Sequence, residues 1–203
     1  IDDETIESYY QVMDGLRIAP ATERLHLVYS PLNGTGNVPV REMMKRMGNI
    51  DVEIVAEQEL PDGNFPTCPY PNPEIREAMR LAIAKTVETG ADMCLATDPD
   101  CDRIGAGVRV GDEVVLISGN DMGVLLLDYI CSHKNGTKSP VALNAIVTTE
   151  MAVPICEKYG VELRNVLTGF KFIGEQIGLL EQEGHPERYI FGFEESYGYL
   201  SGP

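Results

Sequence analysis

Positive charge is scarce in this sequence. Sixteen lysines and arginines stand against 32 aspartates and glutamates, leaving a net charge of −16, and a chain this acidic repels a nucleic-acid backbone. Nucleic acid is therefore not an expected partner, and an anionic ligand must be met by a local basic cluster or by a metal. Long apolar runs are missing as well. None approaches the ~18 residues that a membrane-spanning helix needs, so no membrane partner is expected, and no secretory signal is visible. The five cysteines (Cys68, Cys94, Cys101, Cys131, Cys156) are an odd number without Cys-x-x-Cys spacing. That pattern argues against a disulfide frame or a zinc site and for reduced thiols in a cytoplasm. Asn33-Gly-Thr and Asn135-Gly-Thr match glycosylation acceptors but read better as turns. What the chain does have is 43% apolar residues over 203 positions, enough for one large core or for two domains of about 100 residues each.

The chain is organised around 94–103, CLATDPDCDR. Met93, Cys94, Leu95 and Ala96 read as a short buried strand, and Asp98, Asp100 and Asp102 as the loop at its carboxyl end, closed by Arg103. Residues two apart in extended chain point to one side, and a bend at Pro99 draws the three carboxylates toward one centre. Carboxylates crowded this way repel, and a hard divalent cation with oxygen ligands relieves the repulsion. Two other readings stand on these residues alone: a solvated acidic turn, and an aspartyl-phosphate site with Asp98 as nucleophile. An EF-hand loop starting at Asp98 fails, because its sixth and twelfth positions hold Arg103 and Arg109 rather than Gly and Glu.

Taken in order, the chain alternates strands and helices. Apolar residues at Ile6, Tyr9, Tyr10, Met13 and Leu16 predict a helix over 4–18, ended by Pro20. A strand over 25–29, a turn in SPLNGTGN, a helix over 38–47 and a strand over 52–55 follow. A proline-rich loop spans 57–73, of a length that in a compact domain is either functional or disordered. A helix is predicted over 73–88 with Gly90 as its stop, then the acidic strand and loop, then a hairpin of strands 104–110 and 113–117. The glycines of GAGVRVG fall in this hairpin with no helix after them, which weakens a dinucleotide reading. A second unit starts near Ser118, with helices over 121–132, 149–159 and 171–183 and strands over 141–147, 161–166 and 189–193. No sequence repeat links the halves; the repetition is architectural. The expected class is α/β: two successive three-layer α/β/α units, 1–117 and 118–203, with mainly parallel sheets and an antiparallel edge strand.

In such sheets ligands meet the loops beyond the carboxyl ends of the strands. Three loops qualify: TDPDCDR, LTGFK with Thr168 and Gly169 before a helix, and FEESYG with Glu194 and Ser196 on one side. Thr168 and Gly169 offer a hydroxyl and open backbone to an anion or a sugar oxygen, or Thr168 simply caps the helix. Glu194 and Ser196 suit vicinal hydroxyls of a sugar, or simply end a loop. Lys171 either meets phosphate or lies on a solvated face.

In that order and spacing, TDPDCDR, TGFKFIGE and FGFEESYGY resemble the α-D-phosphohexomutases, the phosphoglucomutase and phosphomannomutase family. The resemblance covers essentially the whole chain and matches only the second and third of the family's four domains. It implies Asp98, Asp100 and Asp102 as Mg²⁺ ligands, Arg103 and Thr168 as contacts to phosphate or substrate, and Glu194 and Ser196 as holders of the ring hydroxyls. Hexose phosphate and hexose bisphosphate are the implied ligands. The activity is interconversion of the 1- and 6-phosphates through a phosphoserine. The usual metal loop reads Asp-Gly-Asp-Gly-Asp-Arg, and here Pro99 and Cys101 replace both glycines.

The Thr-x-Ser-His-Asn-Pro setting of the phosphoserine and the Arg-x-Ser-Gly-Thr phosphate loop are both absent. With Ile1 as first residue, the sequence is expected to be the middle piece of a longer enzyme, needing its missing flanking domains as partners and inactive alone. A non-catalytic sugar-phosphate or metal-binding module is the competing class.

Overall fold

A computed structural model describes residues 1–19, 22–133 and 136–202; Pro20, Asn135 and the turn around them, read above from sequence, lie partly outside that set. The chain divides into two compact units, Ile1–Ile117 and Ser118–Pro203.

The first unit runs α1 (Asp3–Gly15), β1 (Leu25–Ser30), α2 (Asn37–Met47), β2 (Ile50–Ile54), α3 (Arg80–Thr89), β3 (Met93–Thr97), β4 (Ile104–Val110) and β5 (Glu113–Ile117). Its sheet has the order β2-β1-β3-β4-β5. The first three strands are parallel and β4 and β5 antiparallel. Side chains alternate between two cores with the period of a strand. Val28, Cys94 and Ala96 face Met79 and Ala82 of the α3 side, while Leu27, Tyr29 and Leu95 face Met44 of α2. With both faces covered, the parallel strands read as continuous apolar runs rather than alternating ones. Ser30 pairs with Ala96 at the carboxyl ends of β1 and β3, so the loops after these strands start side by side.

The second unit runs α4 (Gly119–His133), β6 (Val141–Ala145), α5 (Ala152–Tyr159), β7 (Glu162–Val166), α6 (Phe170–Gln182), β8 (Tyr189–Phe193) and β9 (Tyr199–Ser201). Its sheet order is β7-β6-β8-β9, with only β9 antiparallel. Leu127, Cys131, Ala152 and Cys156 pack with Phe191 and Phe193 on one face. Ile173 and Leu180 of α6 pack with Val141, Leu143 and Val166 on the other. The architecture is thus the mixed α/β class that the strand–helix alternation predicts.

Several points differ from expectation, among them the helix predicted over 4–18, which ends at Gly15, and the strand predicted over 141–147, which ends at Ala145. The helix predicted over 73–88 starts only at Arg80. Ahead of it, Asn72 Oδ1 accepts the Glu74 N–H at 2.9 Å and its carbonyl accepts the Ile75 N–H, an Asx turn that competes with helix. The helix predicted from 149 starts at Ala152, because the Thr148 amide and hydroxyl donate to the Ala145 carbonyl, the Thr149 hydroxyl accepts the Met151 N–H, and the Thr149 amide donates to Asn120 Oδ1 of α4. Strand β9 has no counterpart in the sequence reading: at three residues it carries no readable period, and its place is set by pairing with β8. The 57–73 loop is folded into the core, with Gln58 and Cys68 buried.

Candidate functional site

The first unit's site grows from the tip of β3. Thr97 is the last strand residue and Asp98 the first of the loop, 1% exposed, while Asp100 and Asp102 lie open to solvent. Arg103 closes the loop on itself. Its backbone N–H donates to Asp98 Oδ1 at 3.0 Å and its Nε to Asp98 Oδ2 at 2.9 Å, while the Asp98 N–H donates to the Arg103 carbonyl. The bend therefore brings one carboxylate oxygen from each of Asp98, Asp100 and Asp102 within 4.8 Å of one another.

The electrostatics of this trio fit a cation. Burial pushes both Asp98 and Asp102 up. At Asp98 the Arg103 backbone and guanidinium outweigh burial and hold the carboxyl below its ordinary value. Asp102, facing Asp98 and Asp100, stays above. Such divergence is what crowded carboxylates produce when a cation pairs closely with only one of them. Three carboxylate oxygens within 4.8 Å of one another are close enough for a single hard cation to take a ligand from each. The donor set, three carboxylates and no sulfur or imidazole, is that of a hard cation. Cys101 stays out of this chemistry: burial first, then the three aspartates, push its thiol up, so it is a poor ligand and a poor nucleophile.

The same geometry weighs against Asp98 as a phosphoryl acceptor. Both its oxygens are held by Arg103 and the side chain is enclosed, whereas a nucleophile needs an open line of approach. A carboxylate oxygen keeps a second lone pair for a metal. Arg103 is itself steered by Glu74, whose Oε1 lies 3.5 Å from Nη1, and the fork keeps further donors for an anion.

In the second unit, Glu194 is brought to the loop after β7: its Oε1 accepts the Gly169 N–H in a short hydrogen bond. This corrects the expectation of open backbone at Gly169, since that amide is already engaged. Gly169, at φ 122°, is the residue that leads into α6, and no side chain caps the helix, so Thr168 is not a cap and lies exposed. Ser196 is half-buried. The 194–198 loop is fixed from two sides. A Cβ on Gly119 would come 1.8 Å from the Glu195 carbonyl, and one on Gly198 2.2 Å from the Phe170 ring. Lys171 lies over the Phe172 ring at 4.7 Å, on the exposed helix face.

Sequence reasoning missed three contributors: the 31–36 loop, which Thr35 bonds to the Pro99 carbonyl of the acidic loop, Glu74 beside Arg103, and the bond from Gly169 to Glu194. The first was within reach, because PLNGTGN follows a strand that must neighbour β3 in a parallel sheet. The other two join segments far apart in sequence and carry no local signal.

Comparison with known proteins agrees with this architecture. Residues 7–111 match the family described as phosphoglucomutase/phosphomannomutase, alpha/beta/alpha domain II, and residues 118–202 match its domain III. The chain therefore belongs to the phosphoglucomutase/phosphomannomutase family and carries these two domains of it. Among curated relatives, a phosphomannomutase of Mycoplasmoides pirum is 35% identical over 180 residues, covering 89% of this chain and 32% of the relative. A phosphoglucomutase of Staphylococcus aureus is 34% identical over 88% of this chain and 32% of its own length. The chain spans about a third of the length of these relatives. A family protein from Burkholderia thailandensis shares the fold at a TM-score of 0.76 and 22% identity, over 96% of this chain and 38% of that one. The N-acetylphosphoglucosamine mutase of Aspergillus fumigatus, solved with GlcNAc-6P and magnesium, does so at 0.63 and 14%, over 94% and 39%.

Proposed function

We propose that this chain forms the Mg²⁺-binding and sugar-binding part of a phosphoglucomutase/phosphomannomutase that interconverts hexose 1-phosphate and hexose 6-phosphate through a phosphoserine and a hexose bisphosphate. The observation that carries this reading is the convergence of Asp98, Asp100 and Asp102 at the strand tip of a domain II unit. The GlcNAc-6P and magnesium in the Aspergillus mutase, and the glucose 1,6-bisphosphate in a variant of that enzyme, support the ligand classes. The phosphoserine belongs to a part of the longer protein outside these 203 residues. Five cysteines with no disulfide among them fit a cytoplasmic setting.

Each residue then has a task. Asp98, Asp100 and Asp102 hold Mg²⁺, which supplies positive charge to the oxygens of the transferring phosphoryl group. Arg103 keeps the enclosed Asp98 ionised and turns its remaining N–H donors to the phosphate. Glu194, pinned through Oε1 by Gly169, presents Oε2 as acceptor to a ring hydroxyl, and Ser196 donates or accepts beside it. Thr168 offers its exposed hydroxyl to the sugar phosphate. Positioning and charge neutralisation account for most of a phosphoryl-transfer rate, and these residues supply both.

The test is a substrate panel on the longer protein: glucose, mannose, N-acetylglucosamine and pentose 1-phosphates with and without Mg²⁺. Mg²⁺-dependent isomerisation of a hexose phosphate is expected there, and no turnover by the 203-residue chain alone. Failure of every sugar phosphate, or bisphosphate-dependent turnover by the isolated chain, contradicts the reading.

A further inference from the structure

The metal loop of this chain has no glycine. Cys101 sits at φ 66°, in the left-handed region, which costs a residue with a Cβ about 1 kcal/mol or more. Pro99 has no N–H to bond, so its carbonyl is the only backbone group with which that position can be anchored. A loop strained in this way keeps one shape only if its surroundings dictate it. Within the loop itself, Cys101 N–H donates to the Asp98 carbonyl at 3.1 Å, Arg103 Nε lies 3.8 Å from Asp102 Oδ1, and the Asp98–Arg103 contacts are those already described.

The surroundings that dictate the shape are in the 31–36 loop after β1. Thr35 donates twice to the Pro99 carbonyl, from its backbone N–H at 2.8 Å and from Oγ1 at 3.0 Å. Gly34 lies flat against Pro99: a Cβ there would fall 2.3 Å from the Pro99 Cα and 2.6 Å from its oxygen. Gly36 does the same beneath Cys101, where a Cβ would come 2.5 Å from the Tyr29 hydroxyl, 2.7 Å from Thr97 Oγ1 and 2.9 Å from Cys101 Sγ.

The 31–36 loop is in turn immobilised by buried polar groups. Ser30 Oγ donates to Gln58 Oε1 at 2.7 Å and accepts the Leu32 N–H. The Asn33 N–H donates to the Gln58 carbonyl, and Asn33 Nδ2 to the Leu60 carbonyl at 2.8 Å. Leu32 and Asn33 take positive φ of 47° and 57° to make these contacts. The loop is anchored on one side to the core and on the other to a single carbonyl of the metal loop.

We infer that Thr35 and Gly34 are positioning residues for the metal centre: they clamp Pro99, and through it fix the spacing of the Asp98, Asp100 and Asp102 carboxylates. The clamp touches neither metal nor substrate. It takes the place of the conformational freedom that glycines at 99 and 101 would give, holding from outside a loop that cannot adapt from within. This inference rests on the Mg²⁺ reading above, and its test separates the two.

The test uses the chain with Thr35→Val, Thr35→Ser, Gly34→Ala and, as control, Gly63→Ala, where an added Cβ meets nothing within 4 Å. Mg²⁺ affinity is read by titration calorimetry, and order of the metal-free loop by hydrogen exchange at the Cys101 and Arg103 amides. Thr35→Val, which keeps the backbone bond and loses the hydroxyl, is expected to weaken Mg²⁺ about fivefold. Gly34→Ala is expected to weaken it about tenfold or more, and both to speed exchange at Cys101 and Arg103 while the amides of β1 and β3 keep their protection. Thr35→Ser restores wild-type behaviour, and Gly63→Ala never departs from it. Wild-type affinity and unchanged exchange in both Thr35→Val and Gly34→Ala overturn the inference. If the wild-type chain takes up no Mg²⁺, the metal reading fails while the clamp is judged by exchange alone: faster at Cys101 and Arg103 sustains it, unchanged overturns it.

Discussion

Arg103 links the acid trio to the segment before α3, bonding Asp98 through Nε and approaching Glu74 through Nη1. A lysine has a single ammonium on a flexible stem and cannot reproduce this fork. If the chain serves in the mutase proposed above, Arg103→Lys is therefore expected to lower that enzyme's kcat/KM about 10- to 100-fold, with the thermal midpoint nearly unchanged; wild-type kinetics would contradict the role. In the second unit, Glu162 is held below its ordinary value of 4.5, chiefly by the Arg164 guanidinium against the opposing effect of burial, with Arg188 adding to it. Because the folded-state value is depressed, the stability this group gives is fully present above the ordinary value and is lost as pH falls through the folded value. Glu162→Gln is thus expected to lower stability at pH 7 and to shallow the decline at acid pH, as read by denaturant unfolding at several pH values. An unaltered acid profile would contradict the pairing.

At the scale of elements, the parallel strands of both sheets were legible because buried parallel strands leave plain apolar runs: LHLVY, MCLAT and YIFGF need no partner to be recognised. The acid trio was legible for the same reason, since it starts where such a run stops. Boundaries governed by side-chain-to-backbone bonds were not. The Asx turn at Asn72 delays α3, and the Thr148–Thr149 turn delays α5, against an apolar pattern that continues through both. The bond from Gly169 to Glu194 lay beyond reach because it joins loops 25 residues apart. That bond and the packing of Gly198 on Phe170 fix the 194–198 loop. Gly198→Ala must displace the loop or the ring, and is expected to raise KM for the sugar phosphate about tenfold with kcat less affected. A KM equal to wild type would show that the loop's placement does not depend on this contact.

Over the whole chain, each unit has its own sheet and its own pair of cores. Domains built this way unfold as separate cooperative units. A ligand that binds the folded form of one unit stabilises that unit alone, by about 2.7 kcal/mol at roughly a hundredfold excess over Kd, or about 10 °C for a domain near 100 residues. Calorimetric scans are therefore expected to resolve two transitions, of which Mg²⁺ moves one. A single transition, or two that shift together, would contradict independent cores.

The most direct measurement is titration of Mg²⁺ into the wild-type chain and its Asp98→Asn variant. The account predicts one ion per chain for the wild type, binding more weakly as pH falls because the proton favoured at Asp102 must leave, and no measurable binding for the folded variant. Equal binding by both proteins, or none by the wild type at millimolar Mg²⁺, would contradict it.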